Sequence, residues 1–219
     1  MSSCTETLAA AGASPGDLIR DACGFLEGVT TPDGGVPIAL ASAMQYPRAA
    51  HWSEISSDAG INPTAALAAL LYQLQVDHPW RDRATAYCFA ELERDVPHEA
   101  HAIRCALQFL EYVPDQRRAN ALADRVAGAL AEAEWYRADP DDSTYGVAPP
   151  SFAPTPQSRW RERFDDALFE AHLDRLAADQ QADGGWPISW DAPGAAAELE
   201  WRGIETLRAI RLLAAYGRI

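Results

Sequence analysis

The apolar and polar positions of this 219-residue chain fall into helix-length segments separated by breaks that proline and glycine mark. Leu18, Ala22 and Phe25 share one helical face, so a first helix is expected to open at Ser14-Pro15 and run to about Leu26. A long connection over 36–60 follows, and Asn62-Pro63-Thr64 restarts a helix. Its continuation over 65–75 is apolar enough to be buried on most sides. His78-Pro79-Trp80 leads into a more amphipathic helix over 81–94. Pro97 opens the next, over 98–112, with Ala102, Ala106, Phe109 and Leu110 as core candidates. Pro114 opens another that reaches about Tyr136, carrying Leu122, Val126 and Leu130 at spacing four. Pro140, Pro149, Pro150, Pro154 and Pro156, with Gly146, forbid a regular helix across 137–160. Helical periodicity returns from Phe164 to Gln181 and again from Glu198 to Tyr216, where Gly217 supplies a C-cap. About seven helices without any strand-length alternation predict an all-α chain. Residues 1–13 are small and polar and read as a flexible tail, leaving 14–219 as a single domain.

One turn occurs twice. Asp33-Gly34-Gly35-Val36-Pro37-Ile38 recurs 150 residues later as Asp183-Gly184-Gly185-Trp186-Pro187-Ile188, identical at five of six positions. Both copies follow a helical segment and precede a polar loop and another helical segment. Repetition of a helix–turn–helix unit points to a stack of helical hairpins. Aspartate can cap such a turn, Gly-Gly permits positive φ, and proline ends the helical option for the residue before it.

The second copy, Gln180-Gln181-Ala182-Asp183-Gly184-Gly185-Trp186, resembles the QW-type repeat of the terpenoid cyclase/prenyltransferase α/α-toroid superfamily, which includes squalene–hopene cyclase-like proteins. The chain is similar, over residues 15–219, to actinobacterial proteins that carry a prenyltransferase label on the strength of this repeat. The resemblance implies a partial α/α toroid of antiparallel helical hairpins, with fewer helices than a closed ring. A homodimer or a partner subunit would then complete the ring. It further implies a terpene-cyclase-like protein that binds an apolar polyene or isoprenoid ligand at the mouth of the arc. Where the chain is catalytic, the reaction would be acid-initiated or templated cyclisation. The alternative is a non-catalytic helical-repeat scaffold whose concave face binds another protein.

Charge narrows the partners. A net charge of −14 argues against nucleic acid and anionic membrane surfaces, which attract basic patches. The longest apolar run, Ala65 to Tyr72, is too short to span a bilayer. Cys4, Cys23, Cys88 and Cys105 are widely scattered and read as free thiols in a reducing cytoplasm. No P-loop, Rossmann glycine pattern, GxSxG or HExxH appears, so neither a cofactor nor a metal is expected.

Four constellations carry candidate chemistry. Asp139-Pro140-Asp141-Asp142 matches the DxDD pattern with which class II terpene cyclases protonate an alkene. The resemblance makes Asp141 the acid and Asp139 and Asp142 its partners. Crowded carboxylates force one of their number to keep its proton. The competing reading is a solvated acidic turn. Asp165-Asp166-Ala167-Leu168-Phe169-Glu170 superficially fits a diphosphate–Mg²⁺ motif, against a charged helix face paired with Arg161, Arg163 and Arg175. His98, His101 and Cys105 share a helical face at zinc-ligand spacing, against a helix-start histidine and a buried thiol. Finally, the repeat places Tyr46, His51, Trp52, Asn62, Thr64, His101, Trp186, Trp190, Trp201 and Arg202 around the mouth as substrate-binding candidates. Aromatic faces there suit a hydrocarbon or a cation. For Trp186 the alternative is a structural staple of the repeat.

Overall fold

A computed structural model describes residues 15–46, 48 and 58–219. The expected tail, Ser14, Cys4, His51 and Trp52 lie outside the described residues. Among the described residues the chain is mostly helical. Its α-helices are α1 (Pro15–Val29), α2 (Ile61–Gln73), α3 (Pro79–Arg94), α4 (Ala100–Tyr112), α5 (Gln116–Gly128), α6 (Asp166–Ala178) and α7 (Ala195–Ala215). None is long and apolar enough to cross a membrane. The chain divides into two compact units, the first ending at Glu91 and the second running from Leu92 to Ile219.

In the first unit α1 leads into the Asp-Gly-Gly turn and a two-residue strand, β1 (Val36–Pro37), which pairs antiparallel with β2 (Ala59–Gly60). The sequence pattern does not announce this short ladder. The unit's core is built on α2 and α3: Ala65, Ala68 and Ala69 let neighbours approach closely, and Trp80, Tyr87 and Phe89 fill the space. The Trp80 indole Nε1–H donates to Thr30 Oγ1 at 2.6 Å, so a fully buried tryptophan keeps its polar atom satisfied. Leu18 and Phe25, which share one face of α1, are exposed. Cys23, also on α1, is buried.

In the second unit α4 and α5 are joined by only three residues, 113–115, and lie side by side as a hairpin. Ile103, Ala106, Phe109 and Leu110 on α4 and Ala119, Leu122, Ala123 and Val126 on α5 are buried. Asp115 caps α5 by accepting from Arg118 N–H at 3.0 Å. Helix α5 ends at Gly128, and a short 3₁₀ turn, Ala129–Glu132, replaces the helical continuation to Tyr136 that the periodicity predicts. The reason is pairing elsewhere. Glu134 C=O accepts from Ala100 N–H (2.9 Å) and its N–H donates to His98 C=O (3.0 Å), satisfying the start of α4. A loop with two 3₁₀ turns then leads to α6, which pairs with α7. Phe169 and Leu173 pack with Ala153, Leu212 and Tyr216. Trp186, Ala209 and Leu213 pack with Leu176.

The two copies of the glycine turn have the same local geometry. Thr31 N–H donates to Gly35 C=O and Gly34 N–H to Thr31 C=O. In the second copy Gln181 N–H donates to Gly185 C=O and Gly184 N–H to Gln181 C=O. Gly34 (φ 101°) and Gly184 (φ 85°) both occupy the left-handed region that a side chain would strain. The residue after each turn is held by a threonine of the next helix. Val36 N–H donates to Thr64 Oγ1 at 2.8 Å, and Trp186 N–H to Thr206 Oγ1 at 3.0 Å.

Candidate functional site

Helix α4 begins with an unusual cap. Glu99 sits at the N-cap position, where its Oε1 accepts from Ala102 N–H (2.6 Å) and its Oε2 from His101 N–H (2.8 Å). The same Oε2 lies 3.1 Å from His101 Nδ1. A carboxylate already accepting two backbone donors faces the ring as an acceptor, so Nδ1 carries the proton. In the neutral ring Nε2 is then bare. The Tyr145 hydroxyl is 3.0 Å from Nε2 and donates to it. Carboxylate, imidazole and hydroxyl therefore form one chain. Burial, and after it the negative Glu99, push the Tyr145 phenol above the ordinary tyrosine value.

Around this chain the second unit gathers aromatic rings from three separated segments. Tyr145 stacks on His101 (centroids 5.4 Å) and meets Trp135 edge-on. Trp190 stands perpendicular to Tyr145 at 5.9 Å, and Trp201 stands at 84° to Trp190 at 5.3 Å. These near-perpendicular contacts are the arrangement that ring quadrupoles favour. The cluster is not core. Trp135 is 51% exposed, Tyr145 45% and Trp201 38%, so several ring faces meet water. Trp135 also has φ of 58°. A non-glycine residue in that region is strained by about 1–3 kcal/mol and is held there by its surroundings. Here Val147 N–H donates to Trp135 C=O at 2.7 Å and Arg137 N–H to Val147 C=O.

Of the sequence candidates, His101, Trp190 and Trp201 come together in this cluster. Trp135 and Tyr145 complete it without having been anticipated. Trp135 falls where the periodicity predicts unbroken helix, and Tyr145 lies in the proline-rich break. What pairs Tyr145 with His101, 44 residues away, is tertiary. Trp186 is 4% exposed, and its Nε1–H donates to Leu176 C=O at 2.6 Å, which makes it a staple between α6 and α7. Arg202 clips the turn to α7, reaching both oxygens of Asp183 (2.8 and 2.9 Å) and Gln181 Oε1 (2.6 Å). In the first unit Thr64 is fully buried on Val36, and Asn62 precedes a cis proline. Tyr46 is exposed beside an open depression of about 370 Å³ lined by Ile38, Leu40 and Ala43.

The acid motif folds into a turn, not a proton-holding pocket. Asp139 Oδ1 accepts from Asp141 N–H (2.9 Å), and Asp142 Oδ1 accepts from the Thr144 hydroxyl (2.6 Å) and N–H (2.8 Å). The Asp141 side chain is 88% exposed and lies 3.5 Å from Arg175 Nη1. Protonating an alkene requires a carboxylic acid that keeps its proton. The Thr144 hydrogen bonds instead hold the Asp142 carboxyl below the usual carboxylate range. These three residues therefore have the surroundings of a solvated acidic turn. The second acidic motif is dispersed likewise: Asp165 caps α6, Asp166 pairs with Arg161 (2.9 Å), and Glu170 pairs with Arg218. His98 leans on Asp95 while Cys105 is buried, so they do not converge with His101. Among the described residues no group of three His, Cys, Asp or Glu could hold a metal ion. A half-open apolar cleft of about 270 Å³ lies apart from these residues, between Leu107, Leu130, Tyr136, Trp160 and Phe164.

No family model, curated protein or solved structure matches the chain. The second unit presents an exposed cluster of tryptophan and tyrosine rings with a Glu99–His101–Tyr145 hydrogen-bond chain beside it.

Proposed function

We propose that the chain is a partial α/α toroid of helical hairpins that binds an apolar, unsaturated ligand of the polyene or isoprenoid class on the aromatic cluster of its second unit. The observation that carries this reading is the exposure of Trp135, Tyr145 and Trp201 in a group of rings that contact one another. Large apolar rings left half in water and gathered from distant segments are a common mark of a binding surface. Their faces suit the π-electrons of a polyene and the positive charge that develops when one rearranges. Asp141 is no part of this reading, because its carboxyl is solvated. The toroid is supported by the matching threonine-held turns at Gly34 and Gly184.

Titration with farnesol, followed by tryptophan fluorescence, tests the proposal. Saturable quenching is expected for the parent, and Trp190→Ala or Trp201→Ala should weaken binding roughly tenfold, about 1.4 kcal/mol. Unchanged affinity in both variants overturns the site. Loss of binding in Leu130→Trp, which fills the 270 Å³ cleft, would move the ligand there instead.

A second reading, the scaffold, is favoured by one feature of α7. Leu199, Ile204, Leu207 and Ile210 are exposed along it, an apolar stripe at helical spacing. Glu198 and Glu200 lie toward its start and Arg208 and Arg211 toward its end, with Arg202, held by Asp183, and Glu205 between them. Antiparallel pairing with α7 of a second copy would set these acids against those bases, so the occupant this stripe fits is another copy of the chain.

A further inference from the structure

We infer that Tyr145 is a base-assisted nucleophile, activated through His101 and Glu99 toward acyl or sulfonyl electrophiles whose apolar portion lies on the neighbouring tryptophans. The inference uses the proposed binding surface but stands on separate geometry. A hydroxyl within hydrogen-bond reach of an imidazole, whose other nitrogen is held by a carboxylate, is the general arrangement by which proteins activate a weak nucleophile. Every link is present: Tyr145 Oη to His101 Nε2 at 3.0 Å, and His101 Nδ1 to Glu99 Oε2 at 3.1 Å. Glu99 is fixed in turn by the N–H groups of His101 and Ala102. The hydroxyl is also accessible, since Tyr145 is 45% exposed while the histidine and glutamate behind it are mostly covered.

This arrangement fits proton transfer during attack better than a phenolate formed beforehand. As Tyr145 Oη bonds to the carbonyl carbon of an ester, its proton passes to His101 Nε2. The imidazolium so formed is stabilised by Glu99 through Nδ1–H. The bond from that carbon to the leaving oxygen then breaks, and the departing alkoxide takes the proton from Nε2. The protein is left as the Tyr145 ester with His101 neutral again. With a sulfonyl fluoride the same attack forms an oxygen–sulfur bond and expels fluoride, and the proton stays on His101 until solvent removes it.

Incubating the full chain with p-nitrophenyl acetate, followed by peptide mass spectrometry, provides the test. Acetylation is expected at Tyr145 on the order of 100-fold faster than at the other tyrosines, the size of a general-base contribution. Tyr145→Phe keeps the ring contacts and should abolish this fast phase. Glu99→Gln keeps a capping oxygen on α4 and should slow it at least tenfold with little change in Tm. Labelling of Tyr145 at the rate of the other tyrosines, or a rate indifferent to Glu99→Gln in a folded variant, overturns the inference. Farnesol binding is read separately: Trp190→Ala and Trp201→Ala chains that bind farnesol as the parent does, yet still label fast at Tyr145, would refute the ligand site and leave the relay standing.

Discussion

Trp186 and Trp190 stand four residues apart in one loop and have opposite surroundings. Trp186 is buried against Ala209 and Leu213 with its indole N–H bonded, whereas Trp190 leans edge-on against two half-exposed rings. Trp186→Ala should therefore cost about 3–5 kcal/mol in urea unfolding, and Trp190→Ala only about 1 kcal/mol. Asp141→Asn removes a solvated carboxylate and should leave the unfolding midpoint essentially unchanged. His172 adds a pH dependence. It is buried with Nε2 against Ala138 C=O, and burial lowers its pKa below the ordinary 6.5. The folded state thus resists protonation that the unfolded state accepts. Above pH 6.5 no penalty applies, and stability falls as pH drops through 6.5 toward the depressed folded value. Thermal melts at pH 7.5 and about 5.5 should show this loss, and His172→Gln should reduce it. At this scale Trp186, Trp190, Trp201 and His101 stood out in the sequence as candidates, and Trp135 did not. Their separation into staple and surface did not, because burial is decided by which helices pack around them.

The two glycine turns are where sequence and structure agree most closely, since a glycine pair before proline prescribes backbone conformation locally. What the repeat did not reveal is the threonine that completes each corner. Thr64 and Thr206 reach it from different distances along the chain, 28 and 20 residues on. Thr64→Val and Thr206→Val keep the side-chain shape and strand one backbone N–H each. Each should cost about 1–3 kcal/mol, and chemical denaturation should find the two losses alike if the corners are equivalent. Helix ends were less legible than helix cores. The α4–α5 hairpin follows from apolar spacing and Pro114, yet α5 stops at Gly128 because Glu134 is drawn to the start of α4. No local pattern encodes such a long-range pairing.

For the molecule as a whole, composition and spacing were enough to read a mostly helical chain but not the association of its parts. The exposed stripe on α7, flanked by acids at one end and bases at the other, should drive self-association that weakens as salt rises. Sedimentation velocity at low and high ionic strength measures this, and Leu207→Glu should abolish it; a monomer under all conditions would remove the scaffold reading. The left-handed backbone at Trp135 has a different consequence, for the history such a chain can have. Glycine would rest there without strain, and one base change in the codon supplies it. Laboratory selection for heat resistance alone should therefore discard this indole early. The survivors would be sturdier proteins that have given up part of their grip on a ligand.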